Sequence, residues 1–283
     1  MTPTLKQLVA MNAPREQIEN WARLHAQAVP AGTDQLLCRV LGKHLMYVLQ
    51  RDTALTPHLA LSGIWEPWVS MAIARHLQPG MRCLDVGACY GYYSLLMADI
   101  VGAEGHVEAW EPVRPDLLRT NIAVNGASVH VVARAMGTLS TSAGMMALFE
   151  DSPARAFFNA GGATMRRAGK LTSFVESTTI GVPIEAPTPL PWDFIKIDVE
   201  GTEADVWRAL DEVKAVSLSL TVCMEFTPKH HEDPQGFLGS IAAEGFTIGT
   251  VGHDGFARPC SIEEAVVPDT GEFRMLWLSK EEA

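Results

Sequence analysis

Three acidic residues stand where apolar runs stop: Asp85 in RCLDVG, Glu111 in HVEAWEP and Asp198 in FIKIDVEG. Aspartate is disfavoured inside strands, so a carboxylate closing such a run asks for a reason. Ionised, it accepts hydrogen bonds only, can hold a cation or a pair of hydroxyls, and can take up a proton. Asp85 is followed, after Val86, by Gly87-Ala88-Cys89-Tyr90-Gly91 and then, around Ser94, by a helix pattern. The spacing is GxxxG, neither the dinucleotide form GxGxxG nor a Walker loop ending in Gly-Lys-Ser/Thr. A strand, a glycine turn and a helix in that order predict loop N–H groups facing a ligand. A carboxylate beside them suits a ligand bearing an ammonium group better than a phosphate. Glu111, 24 residues beyond Gly87, can accept both hydroxyls of a ribose, with Pro112 as an apolar surface beside it.

Asp198 opens a denser acidic run, Asp198-Val199-Glu200-Gly201-Thr202-Glu203, and a further apolar run ends in CMEFTPKHH, with Glu225, His230 and His231. If a hydroxyl is to react, Asp198, Glu200, Glu225 and His230 or His231 are the candidates to take its proton. Asp198, Glu200 and Glu225 together also make an oxygen donor set of the kind Mg²⁺ uses. Glu66 stands between Trp65 and Trp68 at the start of a helix pattern, where the dipole alone favours an acid. Trp65, Trp68, Phe157 and Phe158 are candidates to stack on a ring.

These residues need positioning elements. Helical spacing over 4–29, broken at Pro14, is followed over 36–51 by two apolar runs about Gly42-Lys43 that read as a strand pair, with a helix as the alternative. A helix then runs to about Leu77, stopped by Pro79-Gly80. From there strands are predicted at 81–87, 106–111, 128–133, 193–199, 216–226, 246–251 and 273–279. Helices are predicted at 92–101, from Pro115 to Asn125-Gly126, from Thr202, and at 234–244. Thr202 with Asp205 predicts a capping box. Alternation on this scale predicts a mostly parallel sheet covered on both faces, with ligands at the carboxyl edge of the strands. Residues 138–192 break the pattern and read as an inserted hairpin with loops, carrying apolar pieces at 145–149 and 171–175.

The chain has 283 residues, is 47% hydrophobic and carries a net charge of −11. It can therefore bury a large core, and its acidity is a poor match for nucleic acid. It has neither a basic amphipathic face for a membrane surface nor an apolar run near 18 residues. With no leader pattern at its start, it is expected to be cytoplasmic. Cys38, Cys83, Cys89, Cys223 and Cys260 are odd in number and form no CxxC, against both zinc and a disulfide framework.

The ordered pattern of Gly63…Glu66, LDVGACYGYYSLLMA, HVEAWEPVRPDLLRTNIAVNG and DFIKIDVEGTEADVW over roughly 60–226 resembles the FkbM family of S-adenosylmethionine-dependent methyltransferases. Members more usually carry Asn and Ile where Cys89 and Tyr90 stand. The resemblance implies a class I methyltransferase fold: a Rossmann-like α/β sheet of seven mostly parallel strands, the last antiparallel. Here it would have an N-terminal helical and hairpin extension over 1–60, expected as a lid or homodimer element, and a catalytic domain over 61–283. It implies S-adenosylmethionine held by Glu66, Asp85, Gly87, Ala88, Cys89, Tyr90, Gly91, Ser94 and Asp198 around the methionine end. Glu111 and Pro112 would serve the ribose and adenine, and Asn121, Ala135 and Met136 would lie near the adenine. It also implies O-methylation of a small hydroxylated acceptor such as a secondary metabolite or sugar. The rival readings are a nicotinamide-dependent oxidoreductase and a non-catalytic S-adenosylmethionine-binding partner protein.

Overall fold

The computed structural model of the chain describes residues 2–137, 145–150, 163–166, 179–267 and 273–281. The N-terminal part runs α1 (Leu5–Ala10), α2 (Arg15–His25), β1 (Gln27–Ala31), β2 (Gln35–Val40), β3 (His44–Leu49), α3 (Leu55–Ser62) and α4 (Pro67–His76). Next come β4 (Arg82–Val86), α5 (Tyr92–Val101), β5 (His106–Trp110), α6 (Pro115–Val124), β6 (His130–Val132) and β7 (Ala135–Met136). Then follow β8 (Met145–Glu150), β9 (Ala163–Arg166), β10 (Thr179–Glu185), β11 (Phe194–Ile197), α7 (Glu203–Ala209), α8 (Asp211–Val216) and β12 (Leu220–Phe226). The chain closes with α9 (Pro234–Ala243), β13 (Thr247–Val251), β14 (Ala257–Pro259), α10 (Ile262–Ala265) and β15 (Arg274–Lys280).

The main sheet has the order β14-β13-β15-β12-β11-β4-β5-β6. β12, β11, β4, β5 and β6 are parallel, and β15 lies antiparallel between β12 and β13. This is the Rossmann-like class I methyltransferase arrangement, with β14 as an eighth strand hairpinned onto β13. The strand order reverses between β4 and β11, which opens a crevice at their carboxyl ends. Asp85 lies in β4 and Asp198 directly follows β11, so the two acids meet at that crevice.

One apolar layer joins α4, α5 and α6 to the N-terminal elements through residues such as Leu8, Ile18, Val48, Met71, Leu96 and Leu118. The other packs α7, α8 and α9 through Trp207, Val213, Leu238 and Ile241. The strands β1, β2 and β3 form a separate antiparallel sheet, so the predicted pair has a third strand, at the edge and containing Pro30. The far edge of β3 is bonded by side chains of α6. Asn125 Oδ1 accepts from Leu45 N–H (2.9 Å), and its Nδ2 donates to Leu45 C=O (2.6 Å). Asn121 repeats the pair on Tyr47 at 2.7 and 3.0 Å. Asparagines one helical turn apart thus serve alternate strand residues as a neighbouring strand would.

Within 138–192, β8 pairs antiparallel with β9 and with β10, and β10 runs parallel to β7. The apolar piece at 171–175 lies outside the described residues. The predicted fifth strand is shorter at its start, because α8 occupies 211–216. The Thr202–Asp205 capping box does not form: Thr202 Oγ1 donates instead to Val199 C=O (3.3 Å). Among the described residues no helix is long and apolar enough to cross a membrane.

Candidate functional site

The glycine loop leaves β4 under tight constraint. Gly87 has φ +84°, and a Cβ there would lie 1.9 Å from the Asp198 carbonyl oxygen. Only glycine lets the loop pass the end of β11 this closely. Cys89, at φ 51°, is left-handed without being glycine, as are Glu66 (φ 37°) and Glu200 (φ 56°). Strained backbone at three acid-lined positions is what a functional crevice concentrates.

The N–H groups of this loop do not face a ligand, contrary to the strand–turn–helix expectation. Gly87 and Ala88 N–H donate to Trp110 C=O at 2.9 and 3.0 Å, Gly91 N–H to Ala88 C=O, and Cys89 N–H to Glu111 Oε2 (2.9 Å). The loop is stitched to the end of β5, so it makes no phosphate cradle. Glu111 Oε1 accepts from Val113 and Arg114 N–H (2.6 and 2.9 Å). Three backbone donors thus fix this buried carboxylate and leave about one of its four acceptor positions free. Burial pushes its pKa up, and those three bonds oppose the rise.

On the other side of the loop, carboxylates gather about one lysine. Lys196 lies in β11 opposite Asp85 of β4 and is fully buried. Its Nζ is 3.1 Å from Asp198 Oδ2 and 5.1 Å from the centre of the Tyr93 ring. Asp85 accepts from Ser94 Oγ (2.5 Å), and Glu66 accepts from the Tyr93 hydroxyl (2.6 Å). Carboxyl oxygens of Asp198, Glu200 and Glu225 all lie within 4.8 Å of one another. That donor set has the chemistry a Mg²⁺ ion takes, and the Lys196 ammonium already neutralises part of its charge.

Crowding and burial shift these groups together. Burial raises Asp85 to about 6 and Glu66 to about 7. Burial, then repulsion by Asp198 and Glu203, raises Glu200 to about 8. Burial, then repulsion by Asp198, Glu200 and Glu66, raises Glu225 well above the usual range. Burial alone would lower the Lys196 pKa, but Asp198, Cys223, Glu66 and Glu225 together raise it. The cluster holds more acid than Lys196 can neutralise, and a cationic ligand would relieve it.

The crevice therefore brings together Glu66, Asp85, Asp198, Glu200 and Glu225, with Gly87, Ala88, Cys89, Gly91, Ser94 and Glu111 around the loop. Pro112 follows Glu111 directly. Other predicted site residues lie elsewhere. The Tyr90 side chain is fully buried and its hydroxyl donates to Asp52 Oδ2 (2.9 Å). Asn121 is fully buried, bonded to Tyr47 and, through Nδ2, to Tyr90 C=O (2.9 Å), so it supports the loop from behind. Ala135 and Met136 are buried in β7 against β10. His230 is exposed in the turn Pro228–His230, its ring against Gly201. His231 is the inward member of the pair, its Nε2 3.6 Å from Glu203 Oε2, and burial lowers it to about 4. Trp65 packs on His58, and Trp68 on Arg15 and His253. Phe157 and Phe158 lie outside the described residues. Sequence reasoning missed Lys196, Tyr93 and Asp52. A lysine between two isoleucines in a run otherwise read as buried was the available signal for the first.

The shifted carboxyls set a pH dependence with a definite sign. Free glutamate loses its proton near 4.5, whereas Glu66 and Glu203 hold theirs to about 7 and Glu200 to about 8. Between those values the folded chain binds more protons than the unfolded chain, so stability falls as pH rises. His231, neutral when buried, works in the opposite direction only below its ordinary 6.5. The ligand-free chain is expected to melt several degrees higher near pH 6.5 than at about pH 8.5. Scanning calorimetry across that window checks it; a flat or rising melting temperature contradicts it.

The profile of a family described as Methyltransferase FkbM domain matches residues 85–248. No curated protein matches the chain. Among solved structures, a SAM-dependent methyltransferase from Aquifex aeolicus is 14% identical, with a TM-score of 0.37, over 71% of this chain and 84% of that one. A SAM-dependent O-methyltransferase from Thermotoga maritima is 14% identical, with a TM-score of 0.41, over 75% and 64%. A TehB-like SAM-dependent methyltransferase from Corynebacterium glutamicum is 12% identical, with a TM-score of 0.44, over 80% and 94%.

Proposed function

The chain belongs to the FkbM methyltransferase family, and from that premise we propose that it uses S-adenosylmethionine to methylate a hydroxyl of a small molecule, such as a secondary metabolite or a sugar. The observation that carries the reading is the cluster of buried and half-buried, charge-crowded carboxylates at the carboxyl ends of β4 and β11, beside a glycine loop whose N–H groups are engaged within the protein. Such a crevice suits a ligand with ammonium and sulfonium charge and suits a pyrophosphate poorly. Family membership sets the nicotinamide reading aside.

S-adenosylmethionine, when bound, supplies a methyl group on a positively charged sulfur, which is a good leaving group. Asp85, Glu66 and Asp198 provide the negative charge for the methionine end, and Glu111 keeps an acceptor position for a ribose hydroxyl. Glu200 and Glu225 face Asp198 across the crevice; with a cationic cofactor bound to draw their raised pKa values down, they are the groups to take the proton of the reacting hydroxyl. Lys196 holds Asp198 in place. The rest of the work is orientation of the two reactants. The net charge of −11 favours a small acceptor over nucleic acid.

The test is incubation with methyl-labelled S-adenosylmethionine and a pool of hydroxylated metabolites, with mass identification of the labelled product. Label in an alkali-stable methyl ether is expected. Label in an alkali-labile ester or on nitrogen would overturn the O-methyl assignment. Cofactor binding with no labelled product from any acceptor would favour the non-catalytic binding protein.

A further inference from the structure

Tyr90 sits in the glycine loop, yet both ends of the residue are fastened to parts of the chain outside the crevice. Its hydroxyl donates to Asp52 Oδ2 (2.9 Å). The other oxygen of Asp52 accepts from Ala54 and Leu55 N–H (2.9 and 3.0 Å), at the first turn of α3. The Tyr90 carbonyl accepts from Asn121 Nδ2 (2.9 Å), and the same amide holds Tyr47 of β3 by two further bonds. Tyr90 and Asn121 are both fully buried. The joint therefore connects β3, α3 and α6 to the residue that follows Cys89, whose left-handed φ of 51° needs external support. On the other side of Cys89, its N–H is fixed by Glu111.

We propose that the joint of Tyr90, Asp52 and Asn121 makes residues 44–62 part of the cofactor site, so that docking of the N-terminal sheet and occupancy of the glycine loop are energetically coupled. The three are positioning residues: they act through the loop and touch no reacting atom. The proposal rests on the S-adenosylmethionine reading above. Coupling of this kind is reciprocal: whatever the docked segment adds to cofactor affinity, the cofactor adds to docking. A lid hinged over an independent pocket would not need buried bonds that run behind the loop. The extension thus braces the glycine loop from behind.

The test uses the full chain and S-adenosylhomocysteine as the probe, with affinity read by calorimetry and exchange of residues 44–62 read by hydrogen–deuterium mass spectrometry. In the wild type the probe is expected to slow exchange over 44–62. Tyr90→Phe removes one oxygen and leaves Asp52 Oδ2 without its partner. It is expected to weaken the probe about tenfold and to abolish that protection. Asp52→Ala should do the same, and the double variant should be no weaker than Asp52→Ala alone, because the two residues share one bond. Asp52→Asn, which can still cap α3 and bond the phenol, should recover most of the affinity. If Tyr90→Phe binds within about twofold of wild type, or if the probe leaves 44–62 unprotected in the wild type, the proposal is overturned and the methyltransferase reading stands. If the wild type does not bind the probe, both fall. A fall in melting temperature with affinity unchanged marks a purely structural joint and also overturns it.

Discussion

Replacing Lys196 with methionine is expected to destabilise the chain by about 3–5 kcal/mol at pH 8, the range for removing one partner of a buried ion pair. The methionine fills similar volume, so the loss is electrostatic and not a cavity effect. Lys196 is fully buried, and the acids it faces, Asp198, Glu66 and Glu225, are already short of positive charge. Without the ammonium they must take up protons or stay charged in a poor solvent. The penalty should therefore shrink as pH falls towards 6, where protonation comes easily. Urea unfolding of wild type and Lys196→Met at both pH values measures this. Equal stability at pH 8, or a penalty that does not change with pH, contradicts the charge assignment. A cationic cofactor should restore part of the lost stability, because it supplies the missing charge to the same carboxylates.

Gly87→Ala is expected to be the most damaging small change in the loop. Its Cβ would sit 1.9 Å from the Asp198 carbonyl oxygen, which is backbone on a strand end and has little room to yield. Gly80 provides the control. It has nearly the same φ, +86° against +84°, and nothing within 4 Å of where a Cβ would lie. Gly80→Ala should cost about 1–2 kcal/mol from backbone conformation alone. Gly87→Ala adds overpacking and should exceed that by about 1–3 kcal/mol or more, or fold with the loop displaced and cofactor binding lost. Paired denaturant melts with a cofactor titration separate these outcomes. Equal costs at the two positions would mean that the loop and β11 are not in the close contact described.

The framework was legible where local and long-range signals agree. α5 occupies the predicted 92–101, and α6 starts at Pro115 as its proline indicates. The mostly parallel sheet follows from alternating apolar strands and capped helices. β1, α3, β14 and α10 were not foreseen. They are short, and β1, α3 and β14 each contain a proline, so their pairing partners and not their own periodicity hold them.

At the site, the acids at strand ends were visible as exceptions to strand composition. What they do to one another was not. Lys196 stands opposite Asp85 only because of the β4–β11 register, which no local pattern encodes. The loop N–H groups were expected to face a ligand, and Trp110 and Glu111 take them because β5 ends beside the loop. The family resemblance places Tyr90 and Asn121 at the cofactor, and their side-chain bonds run to Asp52 and Tyr47, far away in sequence. His230 and His231 are adjacent in sequence, but only His231 turns inward, towards Glu203.

The most direct test of the central claim is a calorimetric titration of the full chain with S-adenosylmethionine, S-adenosylhomocysteine and NAD in parallel, repeated on Glu111→Ala. One S-adenosyl ligand per chain is expected, with no binding of NAD and with affinity for both S-adenosyl ligands reduced at least about tenfold in Glu111→Ala. Binding of NAD without binding of S-adenosylmethionine, or S-adenosyl binding that does not respond to the loss of Glu111, would contradict that claim.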